Sequence, residues 1–320
     1  MIAITMGDGN GVGPEILLKA YAGGELTGDF IVLGDISVLN YCNQKLSYKV
    51  PMHVSADETD ICPDQLNVLD LSLLKEEDIT PGKVSARVAA ASREYVAQAA
   101  RMALEGKFSA MVTLPVNKEA IRLSDPDFTG HTELIAGICN QTQYTMMLAS
   151  KSLTVTHVST HVSMEQSIRN CKKERIMDVI RLTWDAISRF REHPRIAVAG
   201  LNPHAGENGA FGRQEIEEIA PAVEQAVEQG MDVTGPLPPD TVFLRAYKGE
   251  FDAVVCMYHD QGHIPMKLLD FEGGVNVSLG LKVVRTSVDH GTAYDIAYQG
   301  KAKTGSLAAA YDYAVKIQKR

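Results

Sequence analysis

Short, β-branched apolar runs recur along this chain, separated by segments of helical periodicity. They lie at residues 1–6 (MIAITM), 29–35 (DFIVLGD), 110–115 (AMVTLP), 153–158 (LTVTHV), 195–201 (RIAVAGL) and 252–258 (DAVVCMY). Each reads as a buried strand. Between them, Ile176, Val179, Ile180, Thr183, Ile187 and Phe190 repeat at spacings of three and four across 172–192, until His193-Pro194 ends the pattern. Residues 84–105 are Ala-rich and stop at Gly106, and residues 213–229 form a further helix ending at Gly230, with Pro221 kinking or breaking it. Strand and helix in alternation give an α/β protein with mostly parallel sheets flanked by helices.

At 320 residues the chain is long enough for two domains. Pro- and Gly-bearing stretches near 124–130 and 272–280 mark the expected boundaries. They give a discontinuous first domain of residues 1–125 plus 275–320 and a second of residues 126–274. A net charge of −9, from 31 basic and 40 acidic residues, disfavours nucleic-acid or membrane-surface binding, so an anionic substrate needs a local cluster of cations. The five cysteines are odd in number and contain no CxxC pair, which argues against a disulfide framework or a thiolate zinc site. With no signal-peptide pattern and no long apolar run, the expected location is the cytoplasm.

In an open α/β sheet, ligands bind beyond the carboxyl ends of strands, so polar residues just after the runs carry most weight. MGDGNGVGPE (6–15) follows the first run. Its glycines allow tight turns and close backbone approach, although the spacing matches neither GxGxxG nor a P-loop, and a plain connector has the same look. Three histidines follow three different strands: His161 in THVSTHVSM, His204 in GLNPHAGENGAFG and His259 in MYHDQGH. Neutral imidazole is the commonest protein ligand for borderline divalent metals, and three ligands leave positions open for substrate. His157 and His263 stand four residues from two of them, and spacing alone does not say which member of each pair faces the site. Residues 265–297 add Lys267, Asn276, Lys282 and Arg285, the cations among them being either the local charge an anion needs or a solvated face.

The phrases GDGNGVGPE, TGHTE (129–133), LNPHAGENGAFG (201–212), PPDT (238–241), MYHDQG (257–262), VNVSLGL (275–281) and RTSVDHGTAYDIA (285–297), in this order, resemble the 4-hydroxythreonine-4-phosphate dehydrogenase family along nearly the whole chain. The resemblance implies a two-domain fold of the isocitrate and isopropylmalate dehydrogenase kind, with the active site in the cleft between the domains of a homodimer that shares its sites. The implied reaction is oxidation of a phosphorylated 3-hydroxy acid by NAD or NADP, with metal-assisted loss of the carboxylate. Matched by motif, His161, His204 and His259 are the ligands of one divalent ion (Zn, Mg, Mn or Co). His131, Thr132, Lys267, Asn276 and Arg285 take the substrate, with Lys267 and Arg285 on its phosphate. His290, Gly291, Thr292, Ala293 and Asp295 lie in the dinucleotide-binding region. His131 and Asp240 are candidates for proton transfer.

Departures from the biosynthetic branch, which makes vitamin B6, are visible. That branch reads GDPAGIGPE, GPxNK and HDQGL where this chain has GDGNGVGPE, Leu114-Pro115-Val116-Asn117-Lys118 and His263. HVSTHVSM is more similar to the branch of carbohydrate metabolism that oxidises 4-phospho-D-threonate or 4-phospho-D-erythronate. His263, replacing an apolar Leu, is then a candidate partner for the C2 hydroxyl of those acids. Two other readings are a cis-dihydrodiol dicarboxylate dehydrogenase and a phosphate acyltransferase of related fold.

Overall fold

The computed structural model describes residues 1–270 and 273–318. Twelve strands run in chain order: β1 (Ile2–Thr5), β2 (Phe30–Gly34), β3 (Met52–Ser55), β4 (Leu66–Asp70), β5 (Ala110–Thr113), β6 (Thr145–Ala149), β7 (Thr154–His157), β8 (Ile196–Ala199), β9 (Val233–Leu237), β10 (Ala253–Cys256), β11 (Val275–Leu279) and β12 (Arg285–Ser287). The six apolar runs became β1, β2, β5, β7, β8 and β10, nearly all of their residues buried.

The chain forms two compact units, Met1–Thr142 with the segment from Leu281 on, and Gln143–Gly280. The first division falls after residue 142 rather than at 125. The Pro- and Gly-bearing stretch near 124–130 is a turn inside the first unit, leading to the helix His131–Ile138, whose Ile135 packs with Val96 and Ala100 of the helix Ala86–Leu104. The second falls after Gly280 rather than at 275, because β11 pairs with β6.

In the first unit the order is β3-β4-β2-β1-β5-β12, every pair parallel. The chain winds outward from β1 to β2 and later returns to β1's other side as β5. The carboxyl ends of β1 and β5 therefore flank a topological switch point. The helix Ala86–Leu104 closes one face, capped by the Ser85 hydroxyl, which accepts from the Val88 amide.

In the second unit the order is β11-β6-β7-β10-β8-β9, antiparallel at β11-β6-β7 and parallel from β7 to β9. Leu148, Val155, Ala197, Val254, Val242 and Met266 form its core. The expected helix over 213–229 is a π-helical turn, Glu215–Ile219, followed by an α-helix, Ala220–Glu228. Pro221 has no amide hydrogen to continue the α pattern, so the widened turn absorbs the break. No helix among the described residues is long and apolar enough to cross a membrane.

Candidate active site

Three loops meet at the carboxyl ends of β1, β5 and β12. Gly7 opens the first with φ +75°, and a Cβ there would lie 2.6 Å from the Pro115 carbonyl oxygen, so only glycine fits. The Asp8 amide donates to that carbonyl at 2.8 Å. Asp8 is buried. Its carboxylate accepts from the Asn10 amide and from the Tyr294 hydroxyl, each at 2.9 Å. Burial raises its pKa, and those hydrogen bonds work in the opposite direction. The Val12 amide donates to the Thr292 carbonyl at 2.9 Å, and the Tyr298 hydroxyl donates to the Gly9 carbonyl at 2.6 Å. The glycine-rich turn and the HGTAYDIA loop are thus brought together, with His290, Gly291 and Asp295 exposed and Thr292 and Ala293 half-buried. Tyr294, at the centre of this contact, was not singled out in the sequence because a lone tyrosine in a loop carries no motif signal.

Close by in the same unit, Arg285 begins β12 and is only 3% exposed. Its Nε and Nη2 donate to the Thr113 hydroxyl at 3.1 and 2.7 Å, and its Nη1 donates to the Thr132 hydroxyl at 3.4 Å. Burial lowers the guanidinium pKa to about 10, with Glu133 acting the other way, so the group stays charged at neutral pH. His131 opens the helix carrying Thr132. Burial first, then Arg285 and Lys118, holds its pKa well below the ordinary histidine value, so its ring is neutral. The His131 Nε2 is buried without a hydrogen-bond partner. Lys118, in the LPVNK phrase after β5, is a further cation acting on His131 that its motif does not mark as one. Lys282 is exposed.

The second unit holds the other candidates. His161, His259 and His204 follow the carboxyl ends of β7, β10 and β8, three adjacent parallel strands. Of each i±4 pair, one member turns inward: His157 is fully buried and His263 is 7% exposed. His161 is exposed and His259 half-buried. The His161 and His259 ring centroids are 5.5 Å apart. Two imidazoles at about 2.0–2.1 Å from one tetrahedral zinc would have centroids roughly 5 Å apart, close to the separation of this pair. Among the described residues, no three His, Cys, Asp or Glu side chains are grouped so as to hold a metal within one chain. His263, the expected partner of a C2 hydroxyl, is buried and its Nδ1 is engaged within the protein. Its Nδ1 lies 3.2 Å from the His157 Nε2 and 3.1 Å from the His259 carbonyl, and its ring stacks on His259.

His204 is presented by an unusual turn. Residues 204–208 all have positive φ, 52°, 53°, 79°, 42° and 56° in order, and only Gly206 is a glycine. Left-handed backbone costs roughly 1–2 kcal/mol per non-glycine residue, so surrounding structure must impose it. Buried Glu215, in the π-turn, does so at the turn's root. Its Oε1 accepts from the Leu201 and Asn202 amides at 2.7 Å each, and its Oε2 accepts from the Asn202 side-chain amide at 2.9 Å. His204 is left 63% exposed, with its Nδ1 3.7 Å from Asp240. Asp240 therefore neighbours a candidate metal ligand in the second unit, whereas His131 belongs to the first. Lys267 is half-buried on the helix His259–Leu269. Asn276, half-buried on β11, donates its Nδ2 to the Met146 sulfur at 3.1 Å, and its Oδ1 is buried without a partner.

Residues 27–314 match the family described as pyridoxal phosphate biosynthetic protein PdxA. The chain belongs to the PdxA family. It is 42% identical over 322 residues, 99% of each chain, to a D-threonate 4-phosphate dehydrogenase of Pectobacterium atrosepticum. To a 4-hydroxythreonine-4-phosphate dehydrogenase of Desulfosudis oleivorans it is 44% identical over 321 residues, 98% of this chain and 95% of the relative. The crystal structure of a 4-hydroxythreonine-4-phosphate dehydrogenase from Klebsiella pneumoniae superposes with a TM-score of 0.92 at 42% identity, covering 100% of this chain and 99% of that one. Overall identity thus does not separate the two substrate names. The rival readings fare worse: a terephthalate cis-dihydrodiol dehydrogenase from Burkholderia xenovorans is 29% identical with a TM-score of 0.72. A branched-chain phosphotransacylase from Enterococcus faecalis, at 12% and 0.57, shares the fold alone.

Proposed function

We propose that this PdxA-family protein is a cytoplasmic, metal-dependent NAD(P) dehydrogenase. It oxidises the 3-hydroxyl of a 4-phosphorylated acid, 4-phospho-D-threonate or 4-phospho-D-erythronate in preference to 4-phosphooxy-L-threonine, and the 3-keto product loses its carboxylate as CO2. The observation that carries this reading is a buried, charged Arg285 that donates to the Thr113 and Thr132 hydroxyls beside a neutral His131 with an unpartnered Nε2, in a chain 42% identical throughout to a D-threonate 4-phosphate dehydrogenase. A guanidinium in that setting suits a phosphate, and a neutral imidazole suits a hydroxyl proton. The THVSTHVSM and HDQGH phrases favour the hydroxy acids.

A bound nicotinamide would supply the hydride acceptor, and a bound divalent ion would supply stabilisation of negative charge on the C3 oxygen. The chain's own residues do the rest. Arg285 binds phosphate, with Lys267 as a second cation for the substrate, and Thr132 and the Asn276 Oδ1 offer hydrogen bonds. His131 accepts the hydroxyl proton at Nε2. His161, His204 and His259 would hold the ion, and Asp240, 3.7 Å from the His204 Nδ1, is the second candidate for proton transfer. The loop containing His290, Gly291, Thr292, Ala293 and Asp295, with the glycine-rich turn, takes the dinucleotide at the switch point of the first unit.

The test is turnover of 4-phospho-D-threonate by metal-replete protein, followed by the absorbance of reduced nicotinamide. Oxidation at C3 and loss of CO2 yield dihydroxyacetone phosphate, which, once the enzyme has been removed, glycerol-3-phosphate dehydrogenase detects in a separate second step by consuming added NADH. The aminated product from 4-phosphooxy-L-threonine is silent in that second step. A kcat/KM for 4-phosphooxy-L-threonine well above that of either hydroxy acid would move the protein to the biosynthetic branch.

A homodimer with shared sites is part of the proposal. Val162, Met164 and Ile168 near His161, and Ile264 and Leu268 on the His259 helix, are exposed apolar side chains that a second copy would cover. Because His161 and His259 stand together in one chain, His204 is the ligand assigned to the partner. Mixing His204→Ala with His259→Ala protein is expected to restore about a quarter of wild-type activity, from one intact site in each random heterodimer. Mixing His161→Ala with His259→Ala should restore none. The opposite pattern would mean that His161 and His259 serve different sites.

A further inference from the structure

His259 is constrained in two directions. Its Nδ1 lies 2.7 Å from the Asp260 Oδ1, and a carboxylate only accepts, so Nδ1 carries the hydrogen and Nε2 keeps the lone pair that a metal requires. That contact fixes the ring within its own plane. The plane itself is fixed by His263, stacked on His259 with centroids 3.7 Å apart and an interplanar angle of 11°.

His263 is in turn anchored from the core. The His157 Nδ1 lies 3.4 Å from the Met146 carbonyl, which only accepts, so in the neutral ring Nδ1 bears the hydrogen and Nε2 is the acceptor. The His263 Nδ1 therefore donates to the His157 Nε2 at 3.2 Å, shared with the His259 carbonyl at 3.1 Å. The fit requires Gly262, where a Cβ would come within 2.6 Å of the His157 Nε2. A Leu at 263 would fill a similar volume with neither the flat face nor the donor.

We propose that His263, anchored on His157, is a positioning residue that fixes the imidazole plane of His259 and so sets how tightly the His161–His259 pair holds a divalent ion. This rests on the metal reading above and adds a residue with no place in it. Outer partners hydrogen-bonded to a ligand are worth about 10–100-fold in metal affinity, and a stacked ring that holds the same imidazole is expected to act on that scale.

The experiment measures the Zn²⁺ dissociation constant of the full-length protein by competition with a chromophoric chelator, with circular dichroism to confirm folding. His263→Leu and His263→Phe lose the same hydrogen bond to His157 and share any structural penalty, but only Phe restores a flat face. His263→Leu is expected to bind Zn²⁺ about 10–100-fold more weakly than wild type, and His263→Phe within about threefold of it. Equal affinities for the two variants, whether both weak or both like wild type, overturn the proposal. A His259→Ala protein that binds Zn²⁺ as wild type does overturns the metal reading itself, and the proposal with it. That result is distinguishable because it appears with His263 intact.

Discussion

Arg285→Met is expected to abolish most of the thermal stabilisation conferred by a phosphorylated substrate. The guanidinium is buried, donates to the Thr113 and Thr132 hydroxyls, and stays charged at neutral pH although burial lowers its pKa to about 10. Met keeps much of the aliphatic packing and removes that charge. A phosphate loses a charge-assisted contact worth on the order of 1.5–3 kcal/mol, or roughly 10–150-fold in affinity. Ligand-induced stabilisation follows the dissociation constant, so thermal shifts across a substrate titration measure the loss directly. The unphosphorylated acid should respond equally weakly to both proteins. An equal loss of affinity for phosphorylated and unphosphorylated acids would instead make Arg285 a structural residue of β12.

The strands that were legible are those buried on both faces, where burial demands an unbroken apolar run. β3 is a half-exposed edge strand, β9 is an edge strand containing Gly235-Pro236, and β6 (TMMLA) has one β-branched residue, so none announces itself. The placement of His161, His204 and His259 after strands was readable because ligand-facing residues follow carboxyl ends. Which member of each i±4 pair turns inward was not, since that depends on the helix His259–Leu269 lying across β7 and β10. The left-handed turn at 204–208 was equally hidden. HAGENG contains two glycines, but the strain falls on His204, Ala205, Glu207 and Asn208 and is held by Glu215, several residues further on.

Acid is expected to destabilise the metal-free protein through His157 before most carboxylates protonate. Burial first, then the neighbouring His263, depresses the His157 pKa from 6.5 to about 3. A histidine with a depressed folded pKa binds fewer protons folded than unfolded between those two values. Its contribution is therefore fully present above about pH 6.5 and is lost as pH falls toward about 3, in total on the order of 5 kcal/mol. Between about pH 7 and 5, where carboxylates remain largely ionised, roughly 2 kcal/mol of this should disappear. Urea midpoints in the presence of a chelator measure the loss. His157→Gln should be less stable near pH 7, because the amide replaces the ring in a closely packed site, yet its midpoint should fall less steeply with acid. Parallel pH dependences for wild type and His157→Gln would show that His157 titrates alike in folded and unfolded chains, and that the acid sensitivity lies elsewhere.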